Sequence, residues 1–532
     1  CNYFGVTASV NANQENIMAN TQLFQSIKGL FVPATDTVNE AGAAAYALAP
    51  QQALAQLAVT GCMNNTYYAG ASEQLAKVLE LAAKVDAEFV AKTAIYARER
   101  GHMKDMPALL AAYLTMADPD LSVRVFKRVI DNGRMLRTFV QIMRSGQVGR
   151  ASLGSRPKRL VREWLEQASM AQLMQAATGN DPSLADIVKM VHPAPTSAER
   201  RAFYGWLISK PYDVAALPAE IAAFEAWKRA PQGELPQVPF EWLTAFPLSA
   251  EQWGVLATSM GWQALRMNLN TLARNGAFAV DGVTEAVAAR LADAQAIARV
   301  RPMPYQLMVA MGQVGDGVPL AVQAALESAL EASLPSVPSL EGRVVVCPDV
   351  SGSMSSPATG YRKGASSKVR CIDIAGLVAA AVLCQNRDAR VIPFEQNVVK
   401  LELDPHARLA VNAAKLAGVG GGGTNVSAPL ALLNKERARV DTVVIVSDNE
   451  SWVDPSRRGA TATMNEWNKL KARNPGAKLI CIDIQPYGSS QAKDRADIMN
   501  VGGFTDAVFD AMARFASGQS RDWVEIVQNT EV

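Results

Sequence analysis

The sequence predicts a multidomain protein: an all-α array of HEAT-like helical repeats over residues 38–333, followed by a Rossmann-like α/β domain over residues 343–532. A polar arm (1–37) precedes the array and a linker (334–342) joins the two parts. Three observations predict this. Over roughly 300 residues, apolar positions recur at three- and four-residue spacing with almost no strand pattern, as stacked helix pairs require. The linker LPSVPSLEG then places two prolines and a glycine between unlike patterns. Beyond it, β-branched runs alternate with helical segments, the pattern of a doubly wound parallel sheet. At 532 residues the chain is also too long for a single core.

In chain order, residues 1–36 are polar and aperiodic. LAKVLELAAKVDAEFVAKTAIYARERG then carries a helical period that ends in a basic turn and Gly101. MKDMPALLAAYLTMA has Pro107 near its first turn, where a missing N–H costs little. Further helices are predicted in LSVRVFKRVIDNGRMLRTFVQIMRSG, PKRLVREWLEQA, AERRAFYGWLI, EIAAFEAWKR, SMGWQALRMNLNTLARNG, VTEAVAARLADAQAIARV and PLAVQAALESALEASL. No fixed period is visible, so the repeats are irregular. In the second part, strand VVVCPD leads to helix KVRCIDIAGLVAAAVLCQN, and ARVIPFEQNV to HARLAVNAAKL. TNVSAPLALLNKE precedes strand DTVVIVSD, MNEWNKLKARN precedes KLICIDI, and FTDAVFDAMARFASG closes the chain.

The stretch VVVCPDVSGS, Val344 to Ser353, organises the second part. A buried strand runs into Asp349, after which Ser351 and Ser353 alternate with it. Oxygen donors spaced this way at the carboxyl end of a strand suit a hard divalent cation, and ligands of open α/β sheets bind at that end. Thr424 follows four glycines, Gly420 to Gly423, and Asp448 ends the strand Thr442 to Ser447. DxSxS, a loop threonine and a strand-end aspartate together resemble the metal-ion-dependent adhesion site of von Willebrand factor A domains. That resemblance implies Asp349, Ser351, Ser353, Thr424 and Asp448 as ligands of a divalent metal ion, usually Mg²⁺, with one position left for a partner's carboxylate. On the competing reading, Asp349 and the serines merely cap a turn.

Composition excludes several classes. Hydrophobic residues make up 49% of the chain and the net charge is +2, as in ordinary globular protein. The longest apolar run, Ile374 to Cys384, is 11 residues, too short to cross a bilayer. No secretory signal is visible in residues 1–36, and Met18 is a candidate natural start. Cysteines 1, 62, 347, 371, 384 and 481 form no CxxC pair, which fits a reducing, cytoplasmic setting. An enzyme is not expected. No second carboxylate pair suggests two metals, no Cys–His or Ser–His pair stands out, and GGGG lacks the GK[ST] of a phosphate loop.

The near-neutral total hides a basic belt. Leu121 to Arg162 holds 11 Lys or Arg against one acid, Asp131, so the rest of the chain is net acidic. Such a patch is the electrostatic footprint of nucleic-acid binding. Its densest part, MRSGQVGRASLGSRPKRLVREW, sets Gly146, Gly149 and Gly154 among Arg144, Arg150, Arg156, Lys158, Arg159 and Arg162. Flexible backbone there would let N–H groups approach phosphates. Nothing in the belt reads bases, which favours shape or single-stranded ends. The bland alternative is one solvated face of a helical repeat.

A helical repeat carrying such a belt ahead of a metal-site A domain resembles the Ro ribonucleoprotein family, in which a TROVE domain precedes a von Willebrand factor A domain. TGCMNNTYY (60–68), YARERGHMKDMPAL (96–109), SGQVGRASLGSRPKRLVREWL (145–165), SLADIVKMVHP (183–193), GWQALRMNLNTLARNG (261–276) and RVRPMPYQLMVAM (299–311) carry the likeness. It implies a ring of HEAT-like helices, monomeric and without a membrane. It further implies small noncoding Y-like RNA on the outer surface and the single-stranded 3′ end of misfolded or structured RNA in the hole. The function implied is RNA quality control, with an exoribonuclease tethered through RNA in some members. Lys158, Arg159 and Arg162, with Lys189 and His192 of the KMVHP segment, are the RNA contacts implied by segment match. A histidine at a helix end before a proline is also a common cap, and Tyr67 and Tyr68 could stack on bases or belong to the core. The alternative function is a protein–protein scaffold whose A domain grips a partner carboxylate through the metal.

Overall fold

The computed structural model describes residues 33–60, 71–302, 304–334, 337, 339–358, 369–452, 459–503 and 506–532. Most of the N-terminal arm, nearly all of TGCMNNTYY with Tyr67 and Tyr68, and part of the linker lie outside them.

The helical part begins with α1 (Pro50–Thr60), α2 (Ala71–Lys84), α3 (Ala87–Glu99), α4 (Asp105–Ala117), α5 (Pro119–Val129) and α6 (Gly133–Arg144). It continues with α7 (Ser155–Gln167), α8 (Met170–Ala176), α9 (Leu184–Val191), α10 (Ala198–Leu207), α11 (Ala219–Trp227) and α12 (Phe240–Leu243). It ends with α13 (Ala250–Ser259), α14 (Trp262–Arg274), α15 (Val283–Ala292), α16 (Ala294–Val300), α17 (Pro304–Gln313) and α18 (Leu320–Ser333). Local chemistry sets many starts. The Asp118 carboxylate accepts from Asp120 and Leu121 N–H while Pro119 opens α5. Ser183 and Ser249 form capping boxes with Asp186 and Gln252.

The A domain contains β3 (Val344–Pro348), α19 (Cys371–Gln385), β4 (Arg390–Val391), α20 (Leu409–Ala417) and α21 (Ala428–Lys435). Then come β5 (Thr442–Ser447), α22 (Ala462–Arg473), β6 (Lys478–Asp483), β7 (Ser489–Ser490), β8 (Ile498–Gly502), α23 (Asp506–Ala516) and α24 (Trp523–Gln528). The main sheet has the order β4-β3-β5-β6-β8 and is parallel throughout. Its register pairs Val346 with Val444 and Val444 with Ile480. Alternation along the strands divides the core. Val344, Val346, Val444, Val446, Ile480 and Ile482 join the core that holds α19 and α23. Val345, Cys347, Val443, Ile445, Leu479 and Cys481 face Leu430, Leu433, Met464 and Trp467 of α21 and α22. Both faces of the sheet are thus covered, which explains why its strands read as continuous apolar runs.

Two features depart from the expected order. Residues after 37, expected to open the helical array, first form a hairpin of β1 (Thr37–Val38) and β2 (Ala44–Ala47), and β2 pairs with β7 of the A domain. Strand β8 and helix α24 were also not read from the sequence.

The A domain holds both ends of the helical array. At the first end, the Gln52 amide of α1 donates to the Asn500 carbonyl of β8. Trp523 of α24, fully buried, meets Tyr96 of α3 edge-on with ring centroids 5.3 Å apart. At the last end, Arg408 pairs with Glu327 of α18 at 2.6 Å, and Leu409 N–H donates to Glu331 at 3.2 Å. The Asn386 side chain takes both backbone groups of Leu340 in the linker. The array therefore closes on itself through the A domain.

Candidate functional site

The carboxyl ends of β3 and β5 bring the predicted oxygen donors to one edge of the sheet. Asp349 and Asp448 are 0% and 2% exposed, and Ser351, Ser353 and Thr424 are buried with them. The Asp349 carboxylate accepts from Ser351 N–H at 2.8 Å and from the Ser447 hydroxyl at 2.6 Å. Ser351 and Ser353 hydroxyl oxygens are 3.4 Å apart, and the Ser353 side chain hydrogen-bonds Asp448. The glycine-rich loop is tied to this turn: Gly352 N–H donates to Gly422 O, and Gly421 N–H to Val350 O. Gly422 sits at φ 77°, a backbone conformation that strains any residue with a side chain, so glycine suits the position. The loop's far end is fixed by Trp452 N–H donating to the Thr424 carbonyl.

Electrostatically the site is a cluster of carboxyl groups in a dry place. Burial, then Asp448, push the Asp349 carboxyl above its ordinary range, and burial does the same to Asp448. Two acids outside the expected set join them. Burial and then Asp448 push Glu450 up to about 9, and burial raises Asp483 well above its usual value. Among the described residues, no three His, Cys, Asp or Glu side chains are placed to hold a metal, so an ion here would rest on two carboxylates and hydroxyls. That donor set, crowded and with no cation among its hydrogen-bond partners, fits a hard divalent ion with bound water.

Sequence reading missed the hairpin's contact with this edge. Ala41 N–H donates to the Glu450 carboxylate at 3.2 Å, and the Asn39 amide to Ser451 O at 2.9 Å. The sequence signal available was the run DNES itself, with Glu450 two residues beyond Asp448.

The basic belt occupies α5, α6, α7 and the loop between the last two. Gly146, Gly149 and Gly154 all adopt positive φ (83°, 78° and 71°). At Gly154 a Cβ would lie 2.6 Å from the Arg150 guanidinium, so Arg150 is folded over its own loop. Several belt cations are already engaged. Arg128 grips Glu99 at 2.7 Å, Arg156 meets Asp120 at 3.2 Å, and Arg159 lies 3.9 Å from Glu163. The lone acid, Asp131, is held by Arg98. Arg162 donates to the Val191 carbonyl, which joins α7 to the KMVHP segment. His192 is the C-cap of α9, in the left-handed conformation at φ 50°, and its side chain is exposed. Asp186 sits near both Lys189 and Arg144, which hold its carboxyl low after the larger effect of Ser183. Among the described residues Arg144, Lys158 and Lys189 form no direct ion pair, and exposed Arg124, Lys127 and Arg134 extend the face.

A parallel A domain with a carboxylate–hydroxyl edge, closing a helical array that bears a basic face, defines a two-domain class of protein. Residues 343–516 match the family model described as the Ro60 vWA domain. The chain is 26% identical to the RNA-binding protein RO60 of Deinococcus radiodurans over 93% of its own length and 99% of that protein's. The crystal structure of the Deinococcus radiodurans Ro (RSR) protein superposes with a TM-score of 0.60 at 23% identity, covering 89% of this chain and all of that one. In sequence and fold, the chain is similar to these Ro proteins, with a helical array followed by a parallel α/β domain. Among the described residues no helix is long and apolar enough to cross a membrane.

Proposed function

We propose that this chain is a noncatalytic RNA-binding component of a ribonucleoprotein. Its basic face would carry a small structured RNA of the Y-like kind, and the ring would take single-stranded 3′ ends of misfolded or structured RNA. The single observation that carries the reading is the junction of α6, α7 and α9, where Arg144, Lys158 and Lys189 stand, among the described residues, without direct ion pairs beside Arg162 and His192. Unpaired cations on a rigid surface are what phosphates need, since each contact releases condensed counterions. The relative named as RNA-binding supports the same assignment. Quality control of RNA in the cytoplasm, as a monomer and with an exoribonuclease tethered through the RNA, completes the proposal.

The A-domain edge would hold Mg²⁺ through Asp349, Ser351, Ser353, Thr424 and Asp448. When bound, the ion neutralises the buried carboxylates and offers a position to an incoming acid. Ser447 orients Asp349, and the Gly421–Gly422 contacts hold Thr424 in register. The test is RNA affinity measured with and without Mg²⁺. Tight, salt-sensitive binding of a structured RNA with a free 3′ tail supports the RNA reading. Absence of RNA affinity, with Mg²⁺-dependent capture of an acidic peptide, would replace it with the scaffold reading.

A further inference from the structure

The seam where the ring closes contains a cavity of about 800 Å³ that lies apart from the metal edge and shares only Arg128 with the basic belt. Its walls come from α3 at the start of the array, from α16 and α18 at its end, and from α23 and α24 of the A domain. That volume lies within the range of small-ligand sites, which favour domain interfaces. Three acids line it together with five Arg and His. Two of those acids are engaged: Glu99 accepts both arms of Arg128 at 2.8 and 2.7 Å, and Asp510 accepts from Arg514 at 3.0 Å. The third, Glu531, offers only its main-chain carbonyl to Arg128, and its carboxylate is in no ion pair among the described residues. Arg100 and Arg301 remain exposed beside the half-covered His102, and none of the three is in an ion pair among the described residues.

We propose that this cavity binds a phosphate-bearing ligand, a nucleotide or an RNA end, gripped by Arg100 and Arg301 with His102 beside them. The bland account is that Arg100 and Arg301 cap the ends of α3 and α16, where helix dipoles welcome cations. His102 and Arg301 hold the left-handed conformation, at φ 55° and 47°, because each ends a helix: Arg301 is the C-cap of α16, and Met103 N–H closes back on the Ala97 carbonyl around His102. Helix ends do not require cations from opposite ends of the array to meet in one cavity. Burial and then the guanidiniums of Arg98, Arg301 and Arg100 hold His102 below its ordinary pKa. A phosphate there would relieve that repulsion and tie together both ends of the array and the A domain. The site stands whether or not the outer face binds RNA.

The experiment is calorimetric titration of the full chain with pyrophosphate, for wild type and Arg100→Gln/Arg301→Asn. Asparagine is chosen because it tolerates the left-handed backbone. Saturable binding to wild type, weakened at least tenfold in the folded double variant, is expected. Lys158→Glu/Arg159→Glu on the outer face should bind pyrophosphate within twofold of wild type, which keeps this test separate from that of the RNA face. If the double variant does not fold, Arg100→Gln alone, at an exposed helix end, gives the same reading. Competition then identifies the occupant. Displacement of pyrophosphate by a single-stranded oligoribonucleotide marks an RNA end, and displacement by a mononucleotide alone marks a free nucleotide; either supports the site. No saturable binding, or equal affinity in the folded variant, would overturn it.

Discussion

The RNA reading makes a graded prediction on individual charges of the basic face. Arg144, Lys158 and Lys189 have no direct ion pair among the described residues, whereas Arg156 and Arg159 face Asp120 and Glu163. If the face holds phosphates, the free cations each release about 0.7 counterions on a single strand and about 0.9 on duplex RNA, taking the B-DNA figure as a guide. Arg144→Gln/Lys158→Gln/Lys189→Gln should therefore make the slope of log affinity against log salt shallower by about 2 to 3. Between about 50 and 200 mM salt, wild type should lose some 20- to 40-fold more affinity than the triple variant. Arg156→Gln/Arg159→Gln should shift the slope by less, because neighbouring carboxylates already neutralise those groups in part. The assay is fluorescence anisotropy with a labelled structured RNA bearing a 3′ tail, across a salt series, with circular dichroism as a check on folding. Two results refute the reasoning: an unchanged slope in the folded triple variant, or an equal effect from the paired arginines.

Further predictions concern the A domain and the seam. Asp349→Asn should abolish Mg²⁺ binding by calorimetry while raising the melting temperature in chelator, because it removes one of two buried like charges; a drop in chelator would contradict the electrostatic account. Raised carboxyl pKa values also set a sign for pH. Asp349, Asp448, Glu450 and Asp483 favour their protonated forms more when folded than unfolded. Their stabilising effect is thus complete in acid and is lost as pH rises through the folded values, Glu450's being about 9. For each group the loss is about 1.4 kcal/mol per pH unit between its ordinary and raised pKa. Melting temperature in chelator should fall from pH 6 to 8.5, and Mg²⁺ should flatten the dependence. At the seam, Trp523→Ala should cost about 3–5 kcal/mol in denaturant titration and speed amide exchange in both α3 and α24, since its ring is the contact between them.

The sequence by itself determined the two fold classes, because each rests on a local period. Three- and four-residue spacing makes helices without reference to distant chain, and runs such as VVVCP and TVVIVS are apolar throughout because both sheet faces are covered. It also determined the oxygen donors, since Asp349, Ser351 and Ser353 lie within five residues and Asp448 ends the neighbouring strand. What only the tertiary structure decided depends on pairs far apart in the chain. Hairpin β1–β2 is two short strands with weak local signal, ordered by pairing with Ser489 and Ser490 more than 400 residues away. Glu450 and Asp483 acquire their raised pKa values from burial, which no local pattern records. Charge density located the belt, but which of its cations stay free followed from partners such as Asp120 and Glu99, placed opposite them only when the helices pack. The seam cavity is the extreme case. Arg100 and Arg301 are 201 residues apart in sequence, and closure of the array is what brings them to one cavity.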